Sequence, residues 1–435
     1  MDLFQKYSLL AAILFIPCFS FAQLAVDFNP IPASFNIESP NPTYALDVNY
    51  DVIDMERQAF HLFLPDTTAS YPLVIFIHGG GFTGGSRNGT ISSPNGMANI
   101  KYFLDRGIAY ASIGYRLIPT NEEEEEGVIK CLMDSKRALQ TIRYYADQLY
   151  IDPDKIVLTG SSAGAGTSLW LATRDDMAEP DASDPVLQMS TRVCAAGLSA
   201  SQATYDIYKW ETEVYQNFDG QGTNFTLDSM EALLSFDRLS NFYGGLDSLY
   251  QIVVDPAFIQ YREEVDMLFH MSADDPPLYF VNNSGAVHPS QDLFHHSFQG
   301  QTIYNHALAA GIEEVKASIP ALDLNTTEGE SMNEFIERQL SACSATTSTE
   351  FTAPLLENEL IVYPNPASTQ VWVNATIQPI QSLKLYSMTG RLMLSKSRLN
   401  AYSTSLNTSN LPKGMYVLSI VDSAGQHKLE RLIIN

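Results

Sequence analysis

The chain has 435 residues, 45% of them hydrophobic, and a formal net charge of -25. That is enough apolar material for one large domain and a small one. So acidic a chain argues against nucleic acid or anionic lipid as a partner, because both bind through basic patches.

Residues 1–22 read as a signal peptide, with Lys6 before an apolar run from Leu9 to Phe21 and small residues at Ser20 and Ala22. Cleavage after Ala22 would start the mature chain at Gln23. Cys18 raises lipidation as a minor alternative, but Phe15, Ile16 and Pro17 are not the small residues that modification needs. No later stretch is apolar over the ~18 residues of a membrane helix, so a soluble exported protein is expected. Cys131, Cys194 and Cys343 then remain, an odd number without metal-type spacing. They predict no metal site and no disulfide framework, with a single bond left open.

Strands are expected as a pair within 45–64, at Tyr71–Ile77 ("YPLVIFI") and at 108–115. The run Glu122 to Glu126 reads as a solvated loop, with a cation site as the alternative. Apolar residues at helical spacing predict a helix over 128–145, leading into the strand of "YIDPDKIVLTG". Strand, helix, strand in this order predicts a parallel sheet with crossover helices. Further strands are expected at 192–198, 278–281 and 315–319. Residues 207–273 are polar and aromatic without strand rhythm, and read as a helical cap or insertion. The Ser/Thr/Ala-rich stretch 341–358 reads as a linker, dividing residues 23–340 from a small all-β module at 359–435.

Two motifs carry chemistry. Gly160-Ser161-Ser162-Ala163-Gly164 is G-x-S-x-G between a strand and a helix, which lifts Ser162 above the sheet edge as a nucleophile. His78-Gly79-Gly80-Gly81-Phe82 directly follows "LVIFI", and its glycines let backbone N–H groups approach a ligand. Gly80 and Gly81, with Ala163 after the serine, are the candidate oxyanion donors. A dinucleotide or phosphate loop is excluded: no G-x-G-x-x-G opens a helix here and no G-x-x-x-x-G-K-[ST] is present.

Taken together, "HGGGF", "YRLIP", "YIDPDKIVLTGSSAGAG" and "SADDPP" resemble the α/β-hydrolase esterase and lipase family with an HGGG oxyanion loop, related to carboxylesterases and to feruloyl- and acetyl-esterase-like proteins. The resemblance spans roughly residues 40–340. It implies a doubly wound, mostly parallel sheet, Ser162 as nucleophile, and a carboxylic ester substrate (small molecule, lipid or acylated polysaccharide) without a cofactor. The sequence departs from the family after the Pro-Pro pair, where Asn282, Asn283 and Ala286 stand in "PPLYFVNNSGAVHPS". It departs again after the last strand, where "IPALDLNTTEGESMNEF" has no histidine for the base.

Seven histidines could replace it: His61, His78, His270, His288, His295, His296 and His306. His295 and His296 follow the "LYFV" strand, at the sheet end that carries active sites, and their Asp-x-x-His-His setting resembles a branch of secreted esterase-like proteins. The base is expected in this pair, with His296 taken ahead of His295. Asp206, Asp292 and Asp323 stay open as the acid, while Asp274 and Asp275 read as caps before Pro276. Loss of the base would instead leave a non-catalytic binding protein on the same fold, and a peptidase would use the same elbow.

The tail has its own signature: Tyr363-Pro364-Asn365-Pro366, the Gly414-Met415-Tyr416-Val417 strand and Lys428 near the end. It resembles the C-terminal sorting domain of the type IX secretion pathway, a β-sandwich. The resemblance implies the type IX machinery as a partner and a cell-surface or secreted location.

Overall fold

The computed structural model describes residues 24–216, 226–285, 291–343, 360–363, 367–375, 379–387, 392–401, 403–409, 411–423 and 427–434. Residues 1–22, read as a signal peptide, most of the expected linker, His288 and Pro364-Asn365-Pro366 lie outside the described residues. The chain divides into two units, Met1–Thr346 and Thr347–Asn435.

In the first unit the apolar runs become a ten-stranded sheet. Its strands are β1 (Asn29–Pro30), β2 (Thr43–Asn49), β3 (Ala59–Leu64), β4 (Tyr71–Ile77), β5 (Ala109–Ile113), β6 (Ile151–Ser161), β7 (Ala195–Ser199), β8 (Leu278–Val281), β9 (Val315–Ile319) and β10 (Leu324–Asn325). Across the sheet the order is β1-β2-β3-β5-β4-β6-β7-β8-β9-β10. From β5 to β9 all pairings are parallel, whereas β1, β2, β3 and β10 join antiparallel. Central strands are apolar along their whole length because helices cover both faces: Leu73, Val74, Ile75 and Ile77 of β4, and Ile156, Val157 and Leu158 of β6, are fully buried.

The chain leaves β4 for β5 on one side and returns to β6 on the other, which makes the gap between β4 and β6 a topological switch point. Crevices at such points, outside the carboxyl ends of parallel strands, are where open α/β sheets place their ligands. Register brings those ends level, pairing Ile77 of β4 with Gly160 of β6, and Ser161 of β6 with Ser199 of β7.

The predicted helix is found at Val128–Tyr144, and the described residues of 207–273 include helices at Leu227–Leu234, Phe236–Tyr243, Gln251–Val254, Pro256–Glu264 and Met267–His270. The acidic run is not a simple solvated loop. Glu124 is buried, pairs with Lys130 and accepts the Glu126 and Gly127 N–H groups. Glu126 meets Arg116, which forks onto Asp134. Five carboxylates in a row thus conceal one that turns inward to a lysine six residues on.

Cys194, just before β7, is bonded to Cys343, just after the helix Met332–Ala342. The first unit therefore runs past residue 340, the boundary that composition alone suggests. Cys131 is a free, buried thiol.

The second unit has two antiparallel sheets. One joins Leu360–Tyr363, Gln370–Ala375 and Ser403–Asn407; the other joins Leu392–Ala401, Ile380–Ser387, Gly414–Asp422 and His427–Ile434. Val371 and Val373 from the first share a core with Leu383, Leu385, Leu418, Ile420 and Leu432 from the second. Between the two valines Trp372 points outward, as the period of two requires.

Candidate active site

Ser162 stands where β6 turns into the helix Ala163–Thr173, with φ 53° and ψ -124°. A non-glycine residue rarely adopts positive φ, and the strain holds the hydroxyl clear of the backbone. The turn is possible because its neighbours lack side chains. A Cβ on Gly164 would lie 2.0 Å from the Ile77 carbonyl oxygen, so this glycine lets the helix press onto β4. Tyr205 completes the support, its hydroxyl donating to the Ala163 carbonyl at 2.6 Å.

Above β4, Gly80 has φ 118°, and a Cβ there would meet the Gly84 carbonyl oxygen at 2.2 Å. His78 fixes this loop from below. Its ring stacks on Tyr115 at 4.3 Å, and the Tyr115 hydroxyl donates to the His78 carbonyl. Burial pushes the His78 imidazole down to about 4, so it is neutral and structural. The N–H groups of Gly80, Gly81 and Ala163 have no protein acceptor among the described residues. All three residues border one cavity with Ser162, as donors for an oxyanion must.

The expected histidine pair separates in position. His295 Nε2 is 2.8 Å from Ser162 Oγ. His296, the residue placed first from sequence, is fully buried, and its Nδ1 accepts the Phe298 N–H at the start of the helix Ser297–Ala310. The preference for His296 is thereby corrected. His295 lies in a turn and His296 caps the helix that follows, so the two side chains leave the loop in different directions, and spacing does not say which meets the serine.

The carboxylates sort by contact. Asp292 accepts the His295 backbone N–H at 3.0 Å, and its Oδ1 lies 3.6 Å from His295 Nδ1. Asp206 is buried in a two-pronged pair with Arg262, at 2.8 and 2.9 Å. Asp323 occupies a left-handed turn after β9. Of the three, only Asp292 faces the histidine. Asp275 and Asp274 cap the approach to β8, as expected, through Ser272.

The remaining described histidines of this unit lie elsewhere: His61 bonds Asn88, His270 faces Arg174 and His306 faces Glu213.

Sequence reasoning missed the residues that hold the histidine loop. Asn282 Nδ2 donates to both the His295 and His296 carbonyls, at 3.0 and 3.2 Å. Gln202 takes the Phe294 carbonyl, and the Tyr215 hydroxyl takes that of Leu293. Asn282 registered only as a departure from the family pattern, although its amide supplies the donor that this loop needs.

The cavity measures about 380 Å³. Besides the serine, histidine and glycines, its walls include Trp210, Leu234, Leu239 and Phe242 from the cap segment, Phe294, and Arg238. A serine hydroxyl against an imidazole, beside free N–H groups and an apolar wall, is suited to acyl transfer.

Residues 60–247 match the family model BD-FAE, which spans β3 to the cap. The chain carries an α/β-hydrolase esterase domain. Residues 361–435 match the secretion system C-terminal sorting domain, which marks the protein for type IX secretion to the cell surface or beyond. The chain is similar to the quorum-quenching protein AidA of Acinetobacter baumannii, with 30% identity over 139 residues, 31% of this chain and 41% of that protein. The chain thus spans about two fifths of that relative's length. Among solved structures, a truncated carbohydrate esterase from gut microbiota superposes with TM-score 0.49 at 17% identity, covering 70% of this chain and 98% of that one. An esterase of Thermogutta terrifontis, Est2, superposes with TM-score 0.41 at 19% identity, covering 68% and 90%.

Proposed function

We propose that the protein is a secreted serine hydrolase that cleaves carboxylic esters through an acyl-enzyme on Ser162. The observation that supports this reading best is the 2.8 Å approach of His295 Nε2 to a serine at φ 53°. His295 takes the Ser162 proton as Oγ attacks the ester carbonyl carbon, and the oxyanion is met by the N–H groups of Gly80, Gly81 and Ala163. As the tetrahedral intermediate collapses, the same proton passes to the departing alcohol. Water, deprotonated by His295, then releases the acid and restores the serine. Asp292, beside Nδ1, orients the ring and balances the imidazolium charge. The chemistry needs no metal or organic cofactor.

The test is hydrolysis of short-chain p-nitrophenyl esters by the full chain and by Ser162→Ala, with fluorophosphonate labelling alongside. Turnover and labelling that both vanish in the variant support the reading. Wild-type protein that neither turns over nor labels would leave a non-catalytic binding protein on this fold.

A further inference from the structure

Arg238 is anomalous among the arginines of residues 24–343. Every other one donates to a carboxylate or a backbone carbonyl, as Arg116, Arg143, Arg192 and Arg262 illustrate. The Arg238 side chain has no hydrogen-bond or ion-pair partner among the described residues, in a chain with twice as many acidic as basic side chains, 50 against 25. Chance exposure on a helix does not account for its location. The residue borders the catalytic cavity. Its Nη2 lies 3.2 Å from where a Cβ would stand on Gly81, so the guanidinium abuts the oxyanion loop, and its carbon sits 5.0 Å from the centre of the Phe294 ring, next to His295.

The walls beside it are Trp210, Leu234, Leu239 and Phe242, which offer no charge. Arg238 keeps substantial solvent exposure; desolvation of its covered part lowers its pKa from the ordinary value, yet the guanidinium stays charged. A planar cation with its donors unspent, at the edge of an apolar cavity that an ester substrate would enter, can grip a carboxylate on that substrate through two parallel hydrogen bonds. The negative field of the chain repels anions in general, which makes a local cation the means of admitting a particular one.

Resting on the serine-esterase reading, we propose that Arg238 makes this site selective for esters that bear a carboxylate near the scissile bond. The charged group belongs either to the acyl part, as in the half-ester of a dicarboxylic acid, or to the alcohol part, as in an acylated hydroxy or sugar acid. In both cases Arg238 binds the substrate and takes no part in proton transfer.

Two substrate pairs separate these sources. The p-nitrophenyl half-ester of glutaric acid against p-nitrophenyl butyrate places the charge on the acyl side, and 4-acetoxybenzoate against 4-acetoxybenzamide places it on the alcohol side. For at least one pair, wild-type full-length protein should favour the anionic member in kcat/KM. Arg238→Gln should cut that anionic-to-neutral ratio by about tenfold or more, mainly through KM, because a charge-assisted pair is lost. Arg238→Lys should restore part of it. Ser162-dependent turnover with no anionic preference in either pair, or a ratio untouched by Arg238→Gln, overturns the assignment while leaving the serine mechanism in place. Absence of Ser162-dependent turnover on all four esters overturns both.

Discussion

Exchanging each histidine of the 295/296 pair for alanine should give opposite phenotypes. His295→Ala removes the imidazole 2.8 Å from Ser162 Oγ while leaving an accessible site, since its side chain is 37% exposed. Loss of the base from such a unit costs about a million-fold in kcat, and little stability is at stake. His296→Ala empties a fully buried position and strips the Phe298 N–H of its acceptor. Large-to-small changes in a core with a lost hydrogen bond cost about 2–4 kcal/mol, or roughly 3–6 °C in Tm for a unit of this size. Ester turnover and thermal melting, measured on both variants, decide the matter. A His296→Ala protein that melts like wild type but has lost turnover, beside an active His295→Ala, would refute the reasoning.

Asp292→Asn keeps an acceptor for the His295 N–H but removes the charge facing Nδ1. Because that contact is 3.6 Å and partly solvated, kcat should fall by about a hundredfold, short of the loss in a tightly bonded triad, as steady-state kinetics would register. His78 gives a pH signature. Its folded pKa, about 4, lies below the ordinary 6.5, so between those values the unfolded chain holds a proton that the folded chain refuses. Its contribution is whole above pH 6.5 and is lost as pH falls, roughly 3 kcal/mol by pH 4. Asp275, pushed up to about 6 by burial, acts with opposite sign, so melting of wild type and His78→Gln should be compared at pH 7 and pH 4.5, where the gap should narrow. Replacing both Cys194 and Cys343 with serine should lower unfolding stability by up to about 5 kcal/mol on a chain-entropy account, detectable as a lower denaturant midpoint.

The sheet was legible because its central strands must be apolar on both faces, and the runs at Tyr71–Ile77, Leu278–Val281 and Val315–Ile319 coincide with β4, β8 and β9. The serine and glycine loops were legible for a related reason, since a turn that excludes Cβ atoms leaves small residues at fixed offsets. The base was narrowed to two neighbours but not resolved, because the choice depends on which face of an irregular loop meets the elbow. Asp292 resisted for the same reason. Arg238 was invisible: it is 76 residues from Ser162 in sequence, on a helix whose composition reads as surface, and only the fold of the cap lays it against Gly81.

The bond between Cys194 and Cys343 spans 149 residues and closes a covalent ring that contains the whole cap and the His295 loop. Once oxidised, as an exported thiol pair can be, the polypeptide is no longer a linear thread. Passage as a single extended strand is then barred, so outward transport directed by the sorting tail needs a conduit wide enough for at least the doubled strand of the closed ring. Trimming of the tail beyond residue 343 would equally leave the ring intact, and the terminal helix could not peel away from the sheet at the cut end.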